Sequence, residues 1–454
     1  MKKNREIDLI NGPITRPLIK LALPIMATSF VQMAYNLTDM LFIGREGSDA
    51  VAAVGTAGFF PWFAVSLILL SKAGAQIRIA QSVGMQNEAE EKKYIKTGIQ
   101  LNIILSIIYI VIIWLFHDVM ISFFRLGNDN VIYLTKQYLL IVSFGLVFYS
   151  LNPLFTSIFT ALGDSHTPFV INSIALVINI ILDMTLIFGL GPFPELKVSG
   201  AAIATVIAQA AGTLIFIGVI IKRHDKRFKQ NYLSKIDWPC AINMAKLGLP
   251  IALQEGLFSV FAMIIARLIA PFGAVAIAVQ KVGSQIESIS WMTAEGFSAA
   301  LSTYVGQNYG AQKYERIFKG YKVTMILSCI IGAFATALLI GARVPLFRLF
   351  INDAEAIRLG ADYLFILGLS QLFMCMEITT TGAFNGFGET RLPSTIGIVL
   401  TGARIPATMV LSKVPALGLN GVWWSISLSS VLKGLILVAI FAYYMKNKKY
   451  LARN

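Results

Sequence analysis

Charge is scarce in this chain. Asp, Glu, Lys and Arg together make up 14% of 454 residues, against 56% hydrophobic. With a mean hydropathy of +0.70, too few polar side chains remain to coat a soluble domain of this length, and lipid is the solvent such a composition suits. Cysteine is scarcer still. Cys240, Cys329 and Cys375 are odd in number, far apart and without CxxC spacing, which excludes a disulfide framework and offers no metal site. Histidine is limited to His117, His166 and His224, at the ends of apolar runs or in loops. No clustered Asp/Glu metal motif or nucleophile elbow accompanies them, so an intramembrane enzyme has little to work with and no cofactor is expected. The formal charge of +14 raises the question of nucleic acid. The basic residues, however, sit in short clusters between apolar runs, as cytoplasmic loops do. The charged opening, Met-Lys-Lys-Asn-Arg-Glu-Ile-Asp, leads into an apolar run too long and too polar-striped for a signal peptide, and the segment is expected to be retained.

What the sequence has in abundance is long apolar runs. At about 20 residues per crossing they make roughly twelve transmembrane helices between residues 18 and 444. With the N-terminus inside, Lys and Arg favour the inner segments over the outer loops by about four to one, which puts both termini in the cytoplasm. The longest polar break, Lys222 to Trp238, falls near the middle. It divides the chain into an N-lobe (1–221), a connecting loop (222–243) and a C-lobe (244–454) of six helices each. The halves repeat one another: Lys20-Leu-Ala-Leu-Pro24 returns as Lys246-Leu-Gly-Leu-Pro250. Likewise Phe159-Thr-Ala-Leu-Gly163-Asp-Ser-His-Thr-Pro168 returns as Phe384-Asn-Gly-Phe-Gly388-Glu-Thr-Arg-Leu-Pro393. Repeated bundles around a cavity favour a transporter. Pro24 and Pro250 each remove a backbone donor inside a span, where the helix can kink.

Polar groups at membrane depth are functional candidates by default. At about 100° per residue Thr28, Gln32, Tyr35, Asn36 and Asp39 share one side of the first helix, as Asn172, Asn179 and Asp183 share a face of the fifth. The sixth opens Gly200-Ala-Ala-Ile-Ala-Thr205, small residues that admit a close neighbour and bring the Thr205 hydroxyl to it. No Lys or Arg lies mid-span in the first half, so Asp39 and Asp183 have no evident basic partner. Such carboxylates either take up protons or bind a cation, and oxygen-only groups suit a hard monovalent ion such as Na⁺. A neutral Asp hydrogen-bonded to an amide is the plainer alternative. In the second half Glu255, Lys281, Glu287, Glu295, Glu377, Arg404 and Lys433 lie in or near spans. At least one pair among Glu255, Lys281, Glu287, Glu377 and Arg404 is expected to be a buried salt bridge. Gln280, Ser284, Glu287, Ser288, Trp291 and Glu295 form a stripe on the eighth helix that suits a cavity wall. Gln32, Tyr35, Asn36, Tyr138 and Asn172 are the first-half candidates for the same substrate cavity.

Four stretches in this order resemble the multidrug and toxic compound extrusion (MATE) family of the MOP flippase superfamily over nearly the whole chain. They are Tyr-Asn-Leu-Thr-Asp39-Met-Leu-Phe-Ile-Gly, Asn179-Ile-Ile-Leu-Asp183-Met-Thr-Leu-Ile-Phe-Gly, Gly200-Ala-Ala-Ile-Ala-Thr205 and Val305-Gly-Gln-Asn-Tyr-Gly-Ala. The branch typified by the DNA-damage-inducible F proteins is the most similar. The resemblance implies an all-α membrane protein with a V-shaped pair of six-helix lobes, and a cation-coupling site at Asp39, Asn179, Asp183 and Thr205, where Na⁺ can bind. It also implies a C-lobe acid, for which Glu255 is in the right helix though nearer Pro250 than the family spacing. The expected activity is antiport: Na⁺ or H⁺ enters and an amphipathic, often cationic, drug or toxic compound leaves across the cytoplasmic membrane. The expected partners are those small molecules and membrane lipid, with no nucleic acid and the protein a monomer. Two other readings stay open: a flippase for lipid-linked precursors, whose anionic cargo calls for basic residues the first half lacks, and an intramembrane enzyme.

Overall fold

The computed structural model describes residues 6–447 except Arg125 and Gly127, and the side chains of Ser48, Trp62 and Val65 are likewise outside the description. The described residues form helices joined by loops, without a strand. In chain order the helices are α1 (Thr15–Gly44), α2 (Ser48–Gly84), α3 (Glu88–Ser122), α4 (Asp129–Ala161), α5 (His166–Ile187), α6 (Lys197–Arg223), α7 (Trp238–Ile269), α8 (Ala274–Gly310), α9 (Tyr314–Gly341), α10 (Arg343–Arg348), α11 (Ala354–Gly368), α12 (Gln371–Phe387), α13 (Arg391–Gly402), α14 (Arg404–Leu411) and α15 (Leu419–Lys446). A 3-10 turn, Ala270–Phe272, extends α7. Among the described residues nine helices are long and apolar enough to cross a membrane, or eleven when two bent pairs each count as one span. One pair is α2, bent by 44° between Pro61 and Ser66; the other is α11 with α12, bent by 47°. A proline inside α2 deletes a ladder hydrogen bond, which accounts for the first bend. The expected twelve exceeds this count. α8 is 37 residues long but carries Lys281, Glu287 and Glu295, and it is not among the apolar spans.

The internal repeat is visible in the turns. Asp164 N–H reaches back to Phe159 C=O at 2.8 Å and Glu389 N–H to Phe384 C=O at 3.0 Å, the same helix-ending bond in each half. The turn residue is left-handed in both, with φ of 89° at Gly163 and 80° at Gly388, which is where glycine costs least. A second matched pair is set by close approach. A Cβ on Gly200 would stand 2.4 Å from Leu186 C=O, and one on Gly421 would stand 2.4 Å from Leu411 C=O.

The chain folds as two compact units. Unit 1 comprises Met1–Ile7 and Ala27–Ala252, unit 2 Asp8–Met26 and Leu253–Asn454. These bounds differ from a cut at the 222–243 loop because α1 and α7 each change unit two residues after their proline, Pro24 and Pro250. In unit 1, α2 packs on α3 and α4, and α4 and α5 on α6. One apolar cluster there gathers Ile95, Leu154, Ile158, Phe159, Phe216 and Met244. Another gathers Ile43, Phe60, Ile113, Tyr138, Leu139 and Ile187. The loop after α6 is pinned to α3: Gln100 donates to Tyr232 C=O and Ser234 C=O at 2.8 Å each, and Lys93 meets Asp237 at 3.2 Å. In unit 2, α12 packs on α8, α9 and α15, over a core that includes Ile269, Val279, Phe347, Tyr363 and Trp423. The segment before α1 lies along the start of α9. There Leu9 C=O accepts from Asn308 at 3.0 Å, and Lys313 donates to Asn11 Oδ1 at 2.8 Å.

Candidate functional site

The helical period aligns Tyr35 with Asp39 on α1 and Asn179 with Asp183 on α5, four residues apart in each case, and unit 1 brings the two pairs together. Asp39 lies within interaction range of both Asp183 and Asn179, and Tyr35 and Tyr138 lie within range of Thr205 on α6. Asn179 and Asp183 are completely buried. These side chains approach one another without closing a hydrogen bond. Tyr35 Oη, Asp39 Oδ1, both amide atoms of Asn179, both carboxylate oxygens of Asp183 and Thr205 Oγ1 are all shielded and have no partner. No Lys or Arg is among the groups acting on either carboxylate. Most buried polar atoms in native proteins have a hydrogen-bond partner, and seven without one in a single place set this cluster apart.

The donor set indicates what fits. Among the described residues no three of His, Cys, Asp and Glu come together as a transition-metal site would require. Two carboxylates, an amide oxygen and a hydroxyl, all oxygens, match a hard monovalent cation; one shared proton would also relieve the repulsion between the acids. Asp39, Asn179, Asp183 and Thr205 are thus assembled as a group. Tyr35 and Tyr138, expected on the cavity wall, are buried beside them.

The remaining candidates lie elsewhere. Gln32 and Asn36 are exposed on α1. Asn172 is held against its own helix and α4, donating to Pro168 C=O at 2.8 Å and Thr156 Oγ1 at 3.3 Å. In unit 2, Glu255 is exposed on α7. Gln280 accepts from Trp423 Nε1 at 3.1 Å, and the buried Glu287 accepts from Tyr363 Oη and from Gln371 Nε2, the latter at 3.1 Å. The side chains of Gln280 and Glu287 are therefore committed to the interior of unit 2.

Among the described residues none of the expected pairs of the second half forms, and Glu377 has a different base. Glu377 meets Lys433, not Lys281 or Arg404, at 2.8 Å, and both are buried. Lys281 is exposed on α8, and Arg404 donates instead to Ser429 and Ser430. One buried group escaped the sequence reading. Asn152 on α4 donates to Gln209 Oε1 at 2.7 Å and accepts from Thr213 at 2.8 Å, both on α6. An amide in the apolar run 150–160 and another in 200–221 were the available signal.

The MatE family profile matches residues 24–185 and 250–410, one block in each half of the chain. A probable multidrug resistance protein NorM of Thermotoga maritima is 29% identical over 411 residues, covering 90% of this chain and 88% of that one. A probable multidrug resistance protein YoeA of Bacillus subtilis is 28% identical, covering 96% and 95%. An FAD transporter of Shewanella oneidensis is 27% identical, covering 79% of each. Among solved structures, a MATE protein in the bent conformation superposes with a TM-score of 0.91 over 100% of both chains at 19% identity, a likeness of fold. A repeated, all-helical membrane architecture with a matching family profile defines a multi-pass membrane transporter and not an enzyme. The chain belongs to the MatE family, the multidrug and toxic compound extrusion transporters.

Proposed function

We propose that the protein is a cation-coupled antiporter that exports amphipathic, often cationic, compounds across the cytoplasmic membrane. The observation that carries this reading is the cluster of seven buried, unpartnered polar atoms around two carboxylates with no base beside them. A Na⁺ ion or a proton entering between Asp39 and Asp183 would satisfy those oxygens and cancel the repulsion. Asp39 stands on α1 beyond Pro24, so an occupied site would favour one alignment of that helix over another. A ligand shifts an equilibrium only by binding its states unequally, and coupling to a substrate follows from that difference. We further propose α8 as the span that completes twelve, with Glu287 buried in the interior of unit 2. Both termini are then cytoplasmic, from the distribution of Lys and Arg, and the protein is taken to act as a monomer. The test is dye transport in proteoliposomes with Na⁺ and pH gradients imposed separately. Ethidium movement that follows one gradient supports the reading. Equal movement with and without either gradient, across a broad panel of compounds, counts against it.

A further inference from the structure

The unit 1 site has a counterpart in the second repeat, and its chemistry is different. The turns at Gly163 and Gly388 set an offset of about 225 residues, at which Tyr138 falls on Tyr363, Asn152 on Glu377, Asn179 on Arg404 and Asp183 on Thr408. Pro24 and Pro250 place Ile265 where Asp39 stands. The mapping has structural support. Asn152 takes its partner from α6, and Glu377 takes its partner from α15, the corresponding helix. Both acids of the coupling site are therefore absent from unit 2, and a guanidinium occupies the place of the amide.

Arg404 is partly buried and donates from Nε to Ser429 Oγ at 2.9 Å and from Nη2 to Ser430 Oγ at 3.1 Å. A guanidinium offers five N–H donors in a planar fork, so Nη1 remains uncommitted. Among the described residues no carboxylate lies within ion-pair distance of it. Glu377 is held by Lys433, and Glu287 is held by Tyr363 and Gln371. Both act on Arg404 only across the space between. The physical situation is the reverse of unit 1. There two acids lack a cation; here a fixed cation lacks an anion. We propose that Arg404, its guanidinium held by Ser429 and Ser430, is an anion-binding subsite for the carboxylate or phosphate group of a transported solute. A planar fork suits those groups because two parallel N–H···O bonds can form at once. The subsite would extend the transported compounds from cations to zwitterions and anions.

The experiment is a titration of the purified full-length protein, read by tryptophan fluorescence, since Trp423 packs on Tyr363 with ring centroids 5.3 Å apart. Inorganic phosphate and acetate are the probes, and sodium chloride at matched ionic strength is the control. The expected result is a saturable response to phosphate and acetate and none to chloride. It should be lost in Arg404→Gln and weakened at least tenfold in Arg404→Lys, which keeps the charge but not the fork. No saturable response in the parent, a chloride response equal to that of phosphate, or an unchanged response in Arg404→Gln would each overturn the proposal. If Arg404→Gln fails to fold, Arg404→Lys and the chloride comparison decide. Binding is read here without an ion gradient, so its outcome is separate from that of cation coupling.

Discussion

Unit 1 and unit 2 are built from the same repeat, yet they settle the problem of buried charge in opposite ways. In unit 1 the acids Asp39 and Asp183 are brought together without a base, with Asp39 Oδ1 and both oxygens of Asp183 unsatisfied. In unit 2 Glu377 has Lys433, Glu287 has two neutral donors, and Arg404 has two serine hydroxyls. A charge compensated by a covalently attached partner is already spoken for. One left uncompensated must take its partner from outside the protein. The same repeat thus leaves Asp39 and Asp183 without a base in one unit and pairs Glu377 with Lys433 in the other.

The sharpest way to break this contrast is to remove the uncompensated charge. Asp39→Asn and Asp183→Asn should each reduce gradient-driven dye export to background while expression stays near normal, because an amide keeps the size and much of the hydrogen bonding. Vesicle transport alongside membrane yield checks both halves of that statement. The corresponding change in unit 2 should strike stability instead. Lys433→Met strands the Glu377 carboxylate and should cost about 3–5 kcal/mol, seen as a lower unfolding midpoint in detergent. Adding Glu377→Leu to it should restore most of the loss, and a double variant as unstable as the single would show that the pair is not acting as a unit. The neutral equivalent in unit 1 should cost less. Asn152→Ala leaves Gln209 and Thr213 without a partner at an expected penalty of about 1–3 kcal/mol in the same assay. Asn179→Ala and Thr205→Ala remove one neutral ligand each and should weaken ion dependence severalfold without abolishing transport, measured as the cation concentration giving half-maximal rate.

The smallest effect concerns the segment before α1. Asp8 is desolvated, which alone would raise its carboxyl. The backbone N–H groups of Asn11 and Ile10 outweigh this and hold it below the ordinary carboxylate value. A lowered folded-state value means the turn is fully supported above the ordinary range and loses that support as pH falls through the lowered one. The protection factors of the amides of residues 10 and 11, with the intrinsic exchange rate divided out, should therefore fall in acid, and those of an Asp8→Asn variant should not change with pH.

Much of this was legible in the chain. Apolar length gave the helices, the matched Gly163 and Gly388 turns gave the repeat, and a carboxylate in an apolar run singles out Asp39 and Asp183. What could not be read was partnership across helices. Lys433 lies 56 positions beyond Glu377, and nothing in the spacing says that α12 and α15 face each other there. Tyr35 looked like part of an open wall, because a helical stripe gives direction but not depth. The division into units was hidden for a related reason. The polar 222–243 loop is the obvious break, whereas α1 and α7 change unit inside continuous helices, where composition does not shift.

The central claim is that the acids of unit 1, and none in unit 2, carry the coupling ion. It is tested most directly by ethidium export from proteoliposomes containing Asp39→Asn/Asp183→Asn, set beside the parent and Glu287→Gln under imposed Na⁺ and pH gradients. The double variant should lose all response to either gradient while Glu287→Gln retains it. A double variant that still exports dye with the ion dependence of the parent would contradict the account.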